Sequence, residues 1–317
     1  MIAAVEQPVI RDYLSYSAVR TFQNCPLKYR FRYVDGLAED CVSSSLIFGS
    51  AIHAALEFYI TAQMGGESLP TLDTLLDVYQ QSWRDRSEDN IEFGKSETAD
   101  SLRGMADRMP QKFLDSDLTQ PEGRIICFEE KFRGVLIPEL PDLLGYIDLL
   151  LETDDAIVVR DFKTSRSAWD QEQAADQSDQ LLLYADLVRK VIPGKQLRLQ
   201  FAVITKASDL KVQLLETSFD ESKLDRTKRI FETVWLAIRA GHFYPSPSPM
   251  QCPSRGYRTQ WTHRRNAILS NPALPPEPEQ ETAADGDHGG NRQRVSIMGP
   301  KLRHVMEIHA IKSGDET

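Results

Sequence analysis

The sequence predicts a mixed α/β fold: a β-sheet core flanked by helices, with an N-terminal helical insertion before the sheet. Two observations support this fold class. Apolar residues first recur at helical spacing, then gather in short β-branched or alternating runs that are followed by a helix, further strands and a helix. In addition, 41% of the 317 residues are hydrophobic, which suffices for a buried core.

The part of the chain before the sheet is predicted to be helical. A first helical segment covers residues 13–37, with Ser15 or Ser17 as its N-cap. The insertion is expected at about residues 50–118, and its helices are predicted at His53–Met64, Leu72–Trp83 and Thr98–Asp115. Pro110 should kink or split the last of these helices.

Residues 124–240 are predicted to form the core. Its strands are expected at Arg124–Phe132, Leu143–Leu151, Ala156–Lys163, Leu197–Lys206 and Lys211–Thr217, and its helices at Asp176–Val191 and Glu221–Arg239. The acidic run Glu152–Asp155 is typical of a tight hairpin turn, and Gly241 is typical of the end of a helix.

Two carboxylates and an amine stand on neighbouring predicted strands. Side chains alternate along a strand, so Asp161 and Lys163 share one face. If Asp148 faces the same side, two oxygen ligands for a hard divalent cation converge beside a lysine. This is the minimum equipment for metal-assisted phosphodiester hydrolysis. Taken alone, however, Asp-x-Lys at a strand edge is commonly a solvated charge pair.

Three further motifs accompany this pair. Gly-x-x-x-His ends at His53, Gln180 and Tyr184 lie four residues apart on one predicted helix face, and Cys25-Pro follows an early Leu-Ser-x-Ser. Each is ordinary by itself. In this order and spacing, however, the series resembles the RecB-type branch of the PD-(D/E)XK nuclease superfamily, over a domain at about residues 12–265.

The resemblance implies a restriction-endonuclease-like core that cleaves DNA with a divalent metal. The residues carried over are His53, Asp148, Asp161 and the Phe162 carbonyl as metal ligands, Lys163 as the catalytic lysine beside Asp148 and Asp161, and Gln180 with Tyr184 as contacts to nucleic acid. The ion is expected to be Mg²⁺ or Mn²⁺, since a histidine in an otherwise oxygen-rich shell shifts preference toward Mn²⁺.

Many relatives of this branch also carry a 4Fe-4S iron–sulfur cluster, held by one cysteine before the core and three after it. Cys25 matches the first ligand and Cys252 the second, but Arg255 and Trp261 stand where the last two are expected. Neither side chain can replace a thiolate, so no cluster is expected. Two interpretations stay open for this degenerate flap at 244–265: it is secured by ordinary packing, or its cluster has been lost recently.

The charge distribution is compatible with DNA as a partner, although the net charge of −10 argues mildly against it. Between residues 11 and 35 there are five Arg or Lys against two Asp. The chain has no Gly-x-x-x-x-Gly-Lys loop, so any unwinding would come from a helicase or another repair or CRISPR-type protein.

The remaining expectations concern the tail and the location. Residues 270–317 are predicted to be largely disordered, because few of the residues after 270 are apolar. No stretch is expected to approach a membrane span, and the N-terminus lacks a secretory signal. The predicted location is therefore cytoplasmic, with no membrane partner and with free thiols.

Two function classes compete. The leading hypothesis is a metal-dependent DNA nuclease acting in repair, recombination or foreign-DNA processing. The alternative is a DNA-binding or assembly subunit that keeps the fold without cutting. Retention of His53, Asp148, Asp161 and Lys163 favours the enzyme, whereas the altered cysteine segment favours the subunit. The motifs do not separate a DNA nuclease from an RNA nuclease.

Overall fold

A computed structural model describes residues 11–86, 90–95, 97–246, 256–257, 259–260 and 297–298. Its strands are β1 (Tyr13–Leu14), β2 (Val42–Ser43), β3 (Ile91–Glu92), β4 (Arg124–Gly134), β5 (Asp142–Glu152), β6 (Ala156–Ser165), β7 (Gln196–Thr205), β8 (Val212–Thr217) and β9 (Ile297–Met298). The helices are α1 (Tyr16–Asn24), α2 (Pro26–Tyr29), α3 (Ser44–Gly65), α4 (Leu72–Asp85), α5 (Ala99–Ala106), α6 (Met109–Leu114), α7 (Gln171–Asp176), α8 (Asp179–Val191) and α9 (Glu221–Arg239).

The described strands form a seven-stranded mixed sheet in the order β8-β7-β6-β5-β4-β9, with β1 beside β5. Strands β4, β5 and β6 are successive antiparallel neighbours, whereas β6 and β7 run parallel because α7 and α8 connect them. The short strands β2 and β3 pair separately.

Alternation along β6 divides the interior into two apolar cores. Ile157 and Val159 face the core that contains residues of α1, α8 and α9, whereas Val158 and Phe162 face the core formed with α3 to α6. The sheet is therefore covered on both sides, with the helical insertion on one of them.

The structure confirms most predicted elements and corrects several ends. Ser15 caps α1, since its Oγ accepts a hydrogen bond from the Ala18 amide at 3.2 Å. Pro110 stands in the first turn of α6, and the segment is split into α5 and α6 as predicted. The helix predicted over 176–191 is α8, which begins at Asp179, and a separate short helix that was not predicted, α7, ends at Asp176 before it.

Helix α3 begins at Ser44, nine residues before the predicted start at His53. Gly49 lies inside this helix and allows it to approach β6 closely. A Cβ atom at this position would lie 3.3 Å from Thr164 Oγ1 at the end of β6. The expectation that no stretch approaches a membrane span was wrong for this 22-residue helix, whose most apolar 18-residue window reaches a mean hydropathy of 1.3. Here Ile47, Ile52 and other side chains are buried in the core instead.

Two residues of the segment predicted to be disordered have a defined backbone. Ile297 and Met298 pair antiparallel with Arg133 and Phe132 of β4. The remainder of the tail lies outside the described residues, so the predicted disorder of residues 270–317 stays a prediction.

Strands β5 and β6 separate at the place where the site lies. Their ladder runs from Glu152 opposite Ile157 to Leu149 opposite Arg160. Beyond it, the Phe162 amide donates to Asp148 Oδ2 at 2.8 Å, so a side chain replaces the next backbone acceptor. The two strands thus open around the Asp148 carboxylate.

Candidate active site

Asp161 and Lys163 share one side of β6, as strand alternation predicts. Lys163 Nζ lies 2.6 Å from Asp161 Oδ2, and the aspartate is buried. Asp148 comes from β5 across the opening and accepts the Phe162 amide. The two aspartates and the lysine therefore converge where the strands part.

His53 reaches the same place from α3. Its Nε2 lies 3.0 Å from the Phe162 carbonyl oxygen, which can only accept, so this nitrogen carries a proton. Its Nδ1 lies 3.3 Å from Glu129 Oε1 and 3.9 Å from Asp148 Oδ2. The close approach of α3 to β6 at Gly49, four residues earlier, brings the imidazole to the sheet.

Glu129, which sequence reasoning missed, adds a third carboxylate. It lies in β4 between the pairs Phe128–Leu149 and Glu130–Ile147, so it stands opposite Asp148. Its φ of +47° is left-handed, a conformation that costs a non-glycine residue about 1–2 kcal/mol. The run Glu129-Glu130-Lys131 offers two acidic residues that the sequence does not distinguish, and the backbone turn that aims Glu129 at His53 has no counterpart in the sequence.

The pKa values of the site reflect crowded negative charge. Burial and the neighbouring carboxylate of Asp161 raise the pKa of Asp148 to about 7. Burial lowers the pKa of His53 and of Lys163, but nearby carboxylates outweigh it: Glu129 and Asp148 for the histidine, Asp161 and Asp148 for the lysine. Both pKa values are therefore raised. Binding of a cation is therefore expected to displace protons from Asp148 and His53.

The donor set fits a divalent cation. Ligand atoms of His53, Glu129 and Asp148 lie within 4.8 Å of one another, the one such group of three in the described parts of the chain. Within this group, His53 Nδ1 lies 3.3 Å from Glu129 Oε1, near the roughly 3 Å that separates adjacent ligands of an octahedral ion. Asp161, predicted to be a metal ligand, is not in that group of three; its carboxylate lies 2.6 Å from Lys163 Nζ.

Replacing Glu129 by glutamine is expected to weaken Mn²⁺ binding by ~10- to 100-fold, the usual effect of losing a partner of a ligating histidine. The carboxylate both offers an oxygen and orients His53. Titration calorimetry with Mn²⁺ measures this effect. Glu139→Gln, in the exposed loop before β5, is the matched control and should bind like the wild type. Equal affinity in all three proteins would remove Glu129 from the site.

Gln180 and Tyr184 meet on one face of α8, where the Gln180 amide donates to the Tyr184 hydroxyl at 3.1 Å. Tyr184 is buried and packs edge-on against Phe132. A Cβ atom at position 145 would lie 2.7 Å from Tyr184 Cε1 and 2.8 Å from Phe132 Cζ, so glycine is required there. The pair supports β5 just before Asp148, and its contact with nucleic acid stays a prediction.

Tyr16 of α1 is a second residue that sequence reasoning did not place in the site. Burial raises the pKa of its hydroxyl, and the charges of Arg20, Asp179, Lys163 and Asp161 are all close enough to act on it. The aromatic ring of the Leu-Ser-x-Ser motif thus stands beside the candidate catalytic pair.

The described cysteines are Cys25, Cys41 and Cys127. Cys25 belongs to no group of three potential metal ligands in the described ranges, and Cys127 is buried in the core. Cys252, Arg255 and Trp261 lie outside the described residues. Instead, Tyr257 packs its ring 5.6 Å from that of Phe31 and donates its hydroxyl to a backbone carbonyl. This packing attaches Tyr257 to the N-terminal helical segment, and the expected absence of a cluster stays a prediction.

Comparisons with known proteins identify the family to which the chain is similar. The family model of the PD-(D/E)XK nuclease superfamily matches residues 13–258. No curated protein sequence matches the chain. The crystal structure of a "Putative exonuclease" from Eubacterium rectale aligns with a TM-score of 0.50 at 13% identity, covering 85% of this chain and 91% of the other. That of SSO0001 aligns with a TM-score of 0.28 at 11% identity, covering 76% and 92%. The first similarity is one of fold.

Proposed function

Because the chain belongs to the PD-(D/E)XK nuclease superfamily, we propose that it is a divalent-metal-dependent DNA nuclease of exonuclease type. Its mixed sheet flanked by helices has the restriction-endonuclease-like form of that superfamily. The observation that carries the proposal is the convergence of His53, Glu129, Asp148 and the Asp161–Lys163 pair where β5 and β6 separate.

Each residue has a role that its surroundings support. His53, Asp148 and the Phe162 carbonyl would hold Mg²⁺ or Mn²⁺, with Glu129 as a ligand or as the partner that orients the imidazole. Asp161 completes the negative site from β6. When bound, the ion would supply a Lewis acid that polarises the scissile phosphate and activates water.

Lys163 would stabilise charge that develops during cleavage. Its raised pKa keeps the amine protonated at neutral pH, and the Asp161 carboxylate holds it in place at 2.6 Å. A fixed cation beside the reacting phosphate stabilises the transition state more than the ground state, because negative charge grows there.

Cleavage assays test this proposal directly. End-labelled linear DNA, single- and double-stranded, and circular DNA are incubated with the full chain and Mg²⁺ or Mn²⁺. We expect linear DNA to be degraded and circular DNA to persist, and chelation with EDTA to stop the reaction. Metal-independent cutting, or none on any substrate despite saturable Mn²⁺ binding, would contradict the proposal. RNA substrates in the same assay test the remaining choice of nucleic acid.

The same proposal places the chain in the RecB-type branch, with a nuclease domain at 12–265 and a cytoplasmic role in repair, recombination or foreign-DNA processing. A helicase or another repair or CRISPR-type protein would then supply unwinding.

The second candidate is a non-cleaving DNA-binding or assembly subunit, which the replaced cysteines at 255 and 261 favour. It predicts DNA binding without metal-dependent cleavage.

A further inference from the structure

A cavity of about 570 Å³ lies away from the candidate active site, between the strands β6 to β8 and residues 115–122. Its wall combines Arg160, Arg198 and Glu216 with the apolar side chains of Leu118 and Val212. A volume of this size falls in the range of small-molecule sites, roughly 300–1,000 Å³. It is called the Arg160 cavity below.

Arg160 is the unusual group in this wall. Only 2% of its surface is exposed, and Nε and Nη2 both donate to Gln200 Oε1, at 2.9 and 2.7 Å. Nη1 has no hydrogen-bond partner among the described residues. Nor does any described carboxylate lie within 4 Å of the guanidinium, in contrast to Arg198 beside it.

The positive charge of Arg160 has no carboxylate paired with it among the described residues. Arg198 binds Glu122 at 2.7 Å and Glu216 at 2.6 Å, so these two glutamates are already engaged. Burial lowers the pKa of Arg160 to about 10, which still leaves the guanidinium charged at neutral pH. A buried cation without a paired anion is costly, and a bound anion would remove that cost.

We propose that the Arg160 cavity binds a small molecule with one carboxylate, a short apolar body and a positively charged group, as in a free apolar amino acid. The edge of the guanidinium that carries Nη1 and Nη2 retains N–H groups that Gln200 does not use, the geometry that grips a carboxylate. Leu118, Val212 and the half-exposed Leu214 offer apolar contact.

The acidic side chains at the rim of the cavity favour a zwitterion over a phosphate group or a nucleic acid strand. Asp115 and Asp117, which Arg198 does not engage, also line the cavity, so a phosphate group or a nucleic acid strand would meet repulsion there. An ammonium group on the same ligand is attracted by the same side chains. A zwitterion therefore satisfies both the buried cation and the acidic rim.

The cavity is separate from the chemistry proposed above. Arg160 directly precedes Asp161, but successive side chains of a strand point to opposite faces of the sheet. An occupant would thus lie against the strand that carries the candidate catalytic pair, on its other face.

Titration calorimetry on the full chain, without metal or DNA, tests the site. Leucine is expected to bind saturably, acetate more weakly, and leucinamide and inorganic phosphate not at all. Arg160→Gln should weaken leucine binding at least ~10-fold, as expected for loss of a charge-assisted hydrogen bond. Arg226→Gln, on the exposed face of α9, is the control and should bind like the wild type.

A second variant guards against loss of folding. Arg160→Met combined with Gln200→Leu removes the buried charge together with its hydrogen-bond acceptor. Without ligand it should melt no lower than the wild type, because apolar side chains replace an unpaired ion, and it should not bind leucine. The proposal is overturned if the wild type does not bind leucine, if phosphate binds as tightly, or if the Arg160 variants keep full affinity.

Discussion

Replacing Asp148 by asparagine is expected to abolish metal-dependent cleavage of DNA without unfolding the protein. The amide oxygen can still accept the Phe162 amide at 2.8 Å, so the opening between β5 and β6 is kept. The negative charge that attracts the cation is lost. Because burial and Asp161 raise the pKa of Asp148 to about 7, a neutral side chain also relieves repulsion in the metal-free site.

Two measurements check this prediction. Cleavage of end-labelled DNA should fall below detection, and the rise in melting temperature that Mn²⁺ produces in the wild type should disappear. The metal-free variant should melt no lower than the metal-free wild type. Asp155→Asn, in the exposed turn between β5 and β6, is the matched control. Full cleavage by Asp148→Asn would remove this residue from the mechanism.

Replacing Lys163 by alanine is expected to slow cleavage by at least ~10²-fold, by analogy with removal of one donor that stabilises a transition state. Metal binding should be retained or strengthened, because a positive charge near the cation site is removed. We therefore expect the substitution to lower kcat, while the Mn²⁺ affinity measured by calorimetry does not decrease. This combination distinguishes the lysine from the metal ligands.

The control for Lys163 is an exposed lysine of the same sheet region. Lys211→Ala, directly before β8, should cleave at the wild-type rate. Single-turnover rates with saturating Mn²⁺ compare the chemical step in the three proteins. A Lys163→Ala rate equal to that of the wild type, or a loss of Mn²⁺ binding that accounts for the slower rate, would contradict the assigned role.

Local patterns were sufficient for most of the architecture. Strand alternation placed Asp161 and Lys163 on one side of β6, and the 2.6 Å contact between them follows from that period of two. Helical periodicity and turn residues located the insertion and the core elements, because these depend on contacts between residues close in the chain. Their ends were less accurate, as the start of α3 at Ser44 shows.

Long-range packing explains what the pattern missed. Glu129 faces His53 only because its backbone turns to a φ of +47° within a strand held by its neighbours. Arg160 lies in a strand that the sequence predicts, but only the register of β6 on β7 buries it beside Gln200. Periodicity and motif order were thus enough to predict the fold class and the motif residues. The third carboxylate and the Arg160 cavity depend on contacts between distant segments, which no local pattern encodes.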